Sequence, residues 1–369
     1  MSRFGSSIRR RRPSSGPRWS SASHGGRRRL ALTMVETLAT PDLSDENILR
    51  FVGGVRPCRR GGLRIESEQL GADAGSKLLV HNYGHGGCGV SIGFGTADEA
   101  AALVDAHSST DEPVCVLGAG VVGLTTALRL LQRGRRVRIV AEKPGTETVS
   151  TVAGAVWLPT GIEFGETPER VAWFHAILNR SVRALRGLDQ RFGVEELPVF
   201  EPAGAPAYPE FFDNGTIEPP TALERLPIGA AEQPGRVYRT LFIHTPRFLR
   251  VLIAEVEMMG GVFERRTIGR LKDIADLAEP VVVNCLAMGS RSLFDDGAVY
   301  PARGMLVLMK PQPLGYIAHD GYKYMFPRED ALVLGGCFLE GDDRAEPDEA
   351  YCREILRHHR AFFGQDDPR

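Results

Sequence analysis

The chain is 369 residues long, 43% hydrophobic and 25% charged, ordinary values for a globular protein large enough to bury one big α/β core or two interleaved domains. Its formal net charge of -1 averages two unlike parts, because residues 1–33 hold nine arginines and no Asp or Glu and the remainder is clearly acidic. That balance argues against a nucleic-acid or other polyanion partner for the folded part, and no apolar run reaches the length of a membrane span.

The leader Met1–Thr33, with basic clusters at Arg9–Arg12 and Arg27–Arg29, has little to bury, which predicts disorder over 1–33. Three readings stand: sequence translated upstream of a true start at Met34, an organellar transit peptide, or a basic adhesion arm. The apolar centre of a secretory signal is missing, so a cytoplasmic location is expected, with peroxisomal or organellar targeting left open. The six cysteines show no metal-ligand spacing. Neither a metal site nor a disulfide framework is expected, and a reducing cytosol fits.

In chain order, Asp98–Val104 reads as a helix and 105–113 as a polar link. Val114-Cys115-Val116-Leu117 reads as a buried parallel strand, followed by a Gly-rich turn and an amphipathic helix over Val121–Arg133 that Gly134 stops. Arg136–Ala141 is the next strand, completing a βαβ start of dinucleotide-fold size. A helix follows near Pro168–Arg191, then a Pro-rich stretch, Leu197–Pro220, read as surface loops and short strands. Pro246–Met259 predicts a helix ended by Gly260-Gly261, and Val281–Cys285 another buried strand. Leu306–Met309, Tyr324–Phe326 and Ala331–Leu334 predict short strands of a second, mixed sheet. A helix near Pro347–Phe363 ends the series.

Gly118-x-Gly120-x-x-Gly123 lies between the first strand and its helix. Its glycines suit a tight turn, backbone approach to a pyrophosphate and close helix–strand packing. The helix start at Val121 and Val122 offers free N–H groups and a positive dipole end to phosphate. Glu142, at the end of the second strand, is placed to hold an adenosine ribose. This pattern alone does not separate FAD from NAD.

The segment that follows, Val152-Ala153-Gly154-Ala155-Val156-Trp157-Leu158-Pro159, decides between them through a family resemblance that further segments share. His81-Asn82-Tyr83-Gly84-His85-Gly86-Gly87, Gly54-Val55-Arg56-Pro57-Cys58-Arg59-Arg60-Gly61-Gly62, Pro301-Ala302-Arg303-Gly304 and Tyr324-Met325-Phe326-Pro327 resemble motifs of the D-amino-acid oxidase family. In that family the nucleotide-binding glycines come first and the Arg-Pro and His-Asn-Tyr-Gly segments last. Here that order is exchanged, so the chain resembles a circularly permuted member; the alternative is a gene-assembly error that shuffled two pieces. The resemblance implies an α/β fold in which a Rossmann-type FAD-binding domain (46–160 and 245–300, with 46–104 as the permuted segment and 105–113 as its linker) is interleaved with a mixed-sheet substrate domain (161–244 and 301–345). A terminal helical segment, 346–369, completes it.

The same resemblance implies FAD. It places Glu142 and Lys143 at the adenosine end, Thr148, Ser150 and Thr151 by the pyrophosphate, and Gly154 and Ala155 with Gly86, Gly87, Gly89, Val90 and Ser91 along the flavin. It implies that Arg56 grips the substrate α-carboxylate with Tyr324, that Tyr322 stands in for a lid tyrosine on a shortened loop, and that backbone at Gly87 receives the amine. The implied reaction is hydride transfer from Cα of a D-amino acid to flavin, with O₂ as final acceptor and a 2-oxo acid, ammonia and H₂O₂ as products. The partners are a small D-amino acid and O₂, with no nucleic acid and no membrane, and a homodimer is left open. Rival readings are an oxidase of acidic D-amino acids, for which Lys323 and Arg328 are candidate side-chain cations, an oxidase of glycine or sarcosine, and a flavin binder without turnover. An NAD-dependent dehydrogenase is a more distant alternative.

Overall fold

The computed structural model describes residues 37–71, 76–206 and 208–365, so the expectation for the leader, 1–33, lies outside the described residues. The first strand, β1 (Ile48–Arg59), is followed by β2 (Arg64–Gln69), β3 (Leu78–Tyr83) and helix α1 (Gly89–His107). Helix α1 begins nine residues before the sequence reading of Asp98–Val104, and its early turns contain Gly89, Gly93 and Gly95. Glycine weakens a helix on its own, but tertiary packing overrides that here. A Cβ on Gly95 would stand 2.3 Å from the Ile177 carbonyl oxygen, so the glycine lets the neighbouring helix lie close.

Next come β4 (Val114–Leu117), α2 (Val121–Gln132) and β5 (Val137–Ala141). Val121, Leu124, Leu128 and Leu131 make the buried stripe of α2, the spacing expected of one helix face. A single turn, α3 (Val149–Val152), precedes α4 (Pro168–Arg186), whose N-cap Thr167 accepts from the Arg170 N–H. This helix stops at Gly187 rather than running to Arg191.

The Pro-rich stretch read as surface loops and short strands, Leu197–Pro220, holds most of the nine-residue strand β6 (Val194–Pro202) and the short helix α5 (Pro209–Phe212), and β7 (Thr221–Leu223) and β8 (Gly235–Ile243) follow it. The remaining elements are α6 (Thr245–Met258), β9 (Val262–Arg265), α7 (Leu271–Ala275), β10 (Val281–Asn284), α8 (Gly289–Leu293), β11 (Val299–Met309), β12 (Ile317–His319), β13 (Tyr324–Pro327), β14 (Leu332–Gly335), β15 (Leu339–Glu340) and α9 (Glu349–Phe363). Strand β6 tolerates its prolines because its parallel pairing with β12 involves only Val199 and Phe200. Pro198 lies outside that pairing and Pro202 closes the strand, so the missing N–H groups cost the ladder little.

Two sheets result. The smaller runs β2-β3-β10-β4-β5-β9, parallel throughout except for the antiparallel edge strand β2. Its central strands are buried along their whole length, as a sheet covered on both faces requires. The larger sheet runs β1-β11-β14-β13-β12-β6-β8-β7, with β15 on β11. One of its faces, carrying Leu306, Ile317, Phe326 and Val333, joins the main core. The other, carrying Met305, Ala318, Met325 and Leu334, packs with Cys352, Ile355, Leu356 and Phe363 of α9.

The segment before β4 is divided between the two sheets. Strands β2 and β3 complete the smaller one, whereas β1 pairs with β11 in the larger, with Gly54 opposite Gly304 and Arg56 opposite Ala302. The sequence grouping of 46–104 with the FAD-binding part is corrected in that respect: β1 is the edge strand of the larger sheet and pairs with β11 from Ile48 to Arg59. Leu43 and Gln365 are neighbours, the Leu43 N–H donating to Gln365 Oε1 at 3.0 Å. Arg360 donates to the Leu43 carbonyl at 2.9 and 2.7 Å. Among the described residues no helix is long and apolar enough to cross a membrane.

Candidate active site

A cavity of about 950 Å³ is lined by residues of both sheets. At one end the chain leaves β4 through Gly118, whose φ of +99° is a left-handed conformation suited to glycine. A Cβ there would lie 2.7 Å from the Cys285 carbonyl oxygen. At Gly120 an added Cβ would meet only Ser150 Oγ, at 3.5 Å, so the backbone is open on the cavity side. Val121 and Val122 follow at the N-terminus of α2, and the Val121 N–H donates to Ser150 Oγ at 3.2 Å. Glu142, Lys143 and Thr148 complete this end with Arg266, Thr267 and Ile268.

Two residues expected at the nucleotide lie outside the lining. Gly123 sits behind the turn, where a Cβ would come within 2.0 Å of the Gly118 carbonyl oxygen, so its task is packing. The Thr151 hydroxyl donates to the Thr146 carbonyl at 2.9 Å and is used in shaping its own loop. No feature of the sequence marked the strand-end segment at Arg266 as part of this wall.

Gly86, Gly87, Gly89, Val90 and Ser91 line the cavity, as do Gly154 and Ala155. The Ser91 hydroxyl is occupied, donating to the Val156 carbonyl at 3.2 Å. Gly154 is small because the Phe326 ring would stand 2.6 Å from a Cβ there. Complete burial pushes His85 down to about 3, with its Nε2 2.8 Å from Thr96 Oγ1. Burial pushes the Cys88 thiol up to about 12, and its Sγ donates to the Thr160 carbonyl.

At the other end Arg56 reaches from β1 across the face of β11. Its Nη1 donates to the Cys337 carbonyl at 2.9 Å and its guanidinium lies 5.7 Å from the Phe338 ring centre. Tyr324, on β13, stacks on Phe326 with ring centres 4.3 Å apart and leans over Gly335, where a Cβ would stand 2.4 Å from the hydroxyl. Burial raises the Tyr324 hydroxyl, and the nearby Arg56 charge works against that rise. Tyr322 is 50% exposed, and its hydroxyl accepts from the Phe338 N–H at 3.2 Å. Gly87 lies against the Arg56 side chain, 3.2 Å from an added Cβ.

Lys323 donates to the Gly336 carbonyl at 2.9 Å, and Arg328 pairs with Asp330 while also donating to the Ala153 carbonyl. Neither is among the lining residues. Gly304, Phe338 and His319 do line this end. The sequence displayed Gly304 only as part of a turn motif and His319 only as a landmark before the short loop.

A family described as FAD dependent oxidoreductase matches residues 113–369. The chain belongs to that family. It is 34% identical to the D-amino-acid oxidase of Streptomyces coelicolor over 259 residues, 67% of this chain and 76% of that protein. It is likewise 34% identical over 253 residues to the D-amino-acid oxidase of Rubrobacter xylanophilus, covering 66% of this chain and 74% of that one. Among solved structures, the glycine oxidase of Geobacillus kaustophilus superposes with a TM-score of 0.54 at 19% identity, covering 69% of this chain and 79% of that one. At that identity the likeness shows a common fold.

The cavity of this FAD-dependent oxidoreductase fits its cofactor. The open backbone at Gly120 and the N-terminus of α2 suit a pyrophosphate, to which first-turn N–H groups and the helix dipole are both favourable. The glycine wall from Gly86 to Gly89 leaves room for a flat ring system. Arg56 and Tyr324 stand beyond that wall, where a guanidinium fork and a hydroxyl can share one carboxylate.

Proposed function

We propose that this FAD-dependent oxidoreductase oxidises D-amino acids to 2-oxo acids, releasing ammonia and passing electrons to O₂. The observation that carries the reading is the convergence of the Arg56 guanidinium and the Tyr324 hydroxyl at the end of the glycine-walled cavity. Bound FAD supplies the hydride acceptor and, once reduced, the electron donor to O₂. Arg56 and Tyr324 hold the α-carboxylate, Gly87 leaves its backbone open to the amine, and Tyr322 with Phe338 covers the mouth. Their contribution is orientation, which brings Cα to the reacting position without a protein nucleophile. Because Lys323 and Arg328 are engaged elsewhere, neither supports a preference for acidic D-amino acids. Six buried, unpaired thiols suit a reducing compartment, and we place the protein in the cytoplasm.

We also infer that the family's fold is carried in circularly permuted order. Three observations support this reading. The family match begins at residue 113, the last residue of the polar link. The segment before the link supplies β1 to one sheet and β3 to the other. The Leu43–Gln365 contact brings the regions around both residues within a short connection of each other.

The test of function is the visible spectrum of the purified protein without oxygen, followed on addition of D- and L-amino acids. Bleaching by D-enantiomers alone is expected. A flavin that no amino acid bleaches would overturn the proposed substrate class, and a colourless protein would remove the basis of the mechanism.

A further inference from the structure

We infer that His319, oriented by the buried Glu201, is a specificity residue that presents a hydrogen-bond acceptor to D-amino acids with a long side chain ending in an ammonium or guanidinium. This rests on the oxidase reading above and names its substrate class.

The strand register sets up a polar row across the cavity-side face of the larger sheet. Arg236 of β8 lies opposite Glu201 of β6. Val199 and Phe200 pair with Ile317 and Ala318, which brings Glu201 beside His319 at the end of β12. His319 is in turn opposite Tyr324, and Tyr324 opposite Gly335. Directly opposed residues share a face and approach each other closely, so the imidazole is the next side chain along from the tyrosine of the carboxylate clamp.

The imidazole is held in one orientation. Glu201 is wholly buried, and its Oε1 lies 3.0 Å from His319 Nδ1. The same carboxylate accepts from the Tyr238 hydroxyl at 2.7 Å and from Arg236 Nε at 2.7 Å. The Gly321 N–H also approaches Nδ1, at 3.1 Å, and the two contacts call for opposite tautomers. A buried carboxylate cannot rest against a lone pair, and a charge-assisted bond outweighs one from a neutral amide, so Nδ1 carries the hydrogen. Nε2 then keeps its lone pair in the neutral ring. It has no hydrogen-bond partner among the described residues, while the ring lines the cavity with 12% of its side chain exposed.

The surrounding charges favour a cationic guest. Arg236 is paired with Glu201, and Lys323 donates to the Gly336 carbonyl. Asp320, beside the imidazole in sequence, meets His358 at 3.1 Å, and the Tyr208 hydroxyl is directed at the Gly321 carbonyl. No unpaired cation stands next to His319 among these groups. The spacing suits a long side chain: the Tyr324 hydroxyl stands over Gly335, whose backbone is two strand spacings, about 10 Å, from that of His319. An extended lysine or arginine spans roughly that distance from carboxylate to tip.

The test compares kcat/KM for D-lysine, D-arginine and D-norleucine, the last having lysine's length without its donor, with D-alanine as the reference. The native protein should favour D-lysine over D-norleucine. In His319→Leu that ratio should fall roughly tenfold or more, chiefly through KM, the loss expected of one hydrogen bond to a charged group. Glu201→Gln, which frees the tautomer, should lower the ratio in the same direction if the leucine variant fails to fold. A native preference for D-norleucine, or a ratio unmoved in both variants, overturns the inference. Failure of D-alanine itself to bleach the flavin would instead bring down the oxidase reading on which it rests.

Discussion

Gly304 of β11 and Arg56 of β1 compete for one volume: a Cβ on the glycine would stand 2.4 Å from Arg56 Nη1. The guanidinium can lie across the sheet only because the neighbouring strand lacks a side chain at that point. Gly304→Ala should therefore displace the fork and raise KM for D-amino acids at least tenfold while leaving the bound-flavin spectrum intact. Steady-state kinetics beside an absorption spectrum read both quantities.

Arg56→Ala removes the charge itself. A charge-assisted, two-pronged contact in a partly buried site is worth about 2–5 kcal/mol, so KM should rise roughly 30-fold to several thousand-fold for every D-amino acid. Arg56→Lys should recover only part of the loss, because a point charge does not reproduce the fork. An unchanged KM in the alanine variant would remove Arg56 from the carboxylate site.

Gly123→Ala places a methyl 2.0 Å from the Gly118 carbonyl oxygen, which belongs to rigid backbone. The turn must open, and α2 can no longer aim its N-terminus at the pyrophosphate. The expected result is protein purified without yellow colour and with a thermal midpoint lowered by several degrees. Absorbance near 450 nm and a melting curve check it.

Acid should weaken the fold earlier than its carboxylates alone would imply. Burial pushes His85 down to about 3 and His359 to about 4. Both rings are thus neutral in the folded state while the unfolded chain binds protons below about pH 6.5. Stability from these two groups is complete above that pH and declines as pH falls toward 4. Burial alone would raise Glu201, but the His319 and Tyr238 hydrogen bonds outweigh it and hold the carboxyl low, so its contribution is lost only below about pH 4. Denaturant midpoints from pH 8 to pH 4 should begin to drop near 6.5, and a flat profile down to pH 4.5 would contradict the buried neutral histidines.

A rearranged gene tests the permutation. Encoding 113–365 first, followed through a short linker by 37–107, should yield a protein that binds FAD and is bleached by the same D-amino acids at similar rates. Loss of folding in that order would count against the proposed equivalence.

The parts of the fold announced by local chemistry were legible in the sequence. Helix α2, strand β4 and helix α9 carry unbroken apolar runs or one-face stripes with glycine stops, and such signals survive without tertiary context. The full length of strand β6 was not legible, only short strands among loops, because Pro198 and Pro202 resemble loop punctuation and the limited reach of the neighbour β12 is what makes them harmless. The glycines of α1 misled in the same way, since their purpose is set by the helices passing beside them, α2 at Gly89 and Gly93 and α4 at Gly95. Arg56 and Tyr324 were singled out by family motifs, and both line the cavity. The polar row that reaches His319 depends on which strands are neighbours, and chain order does not reveal that.

The register of Arg56 against Ala302 means that β1 leaves the ribosome about 250 residues before the strand it pairs with. Closing so distant a contact is slow, and an edge waiting for its partner invites the wrong one. The strand is poorly suited to mispairing in the interval, for Gly53, Gly54 and Pro57 weaken it as a template and Arg50, Arg56 and Arg59 repel another copy. The residue assigned to hold the substrate thus lies on the strand that joins its sheet late in synthesis. A nascent chain interrupted before β11 would have its nucleotide turn in place and its substrate grip still unassembled.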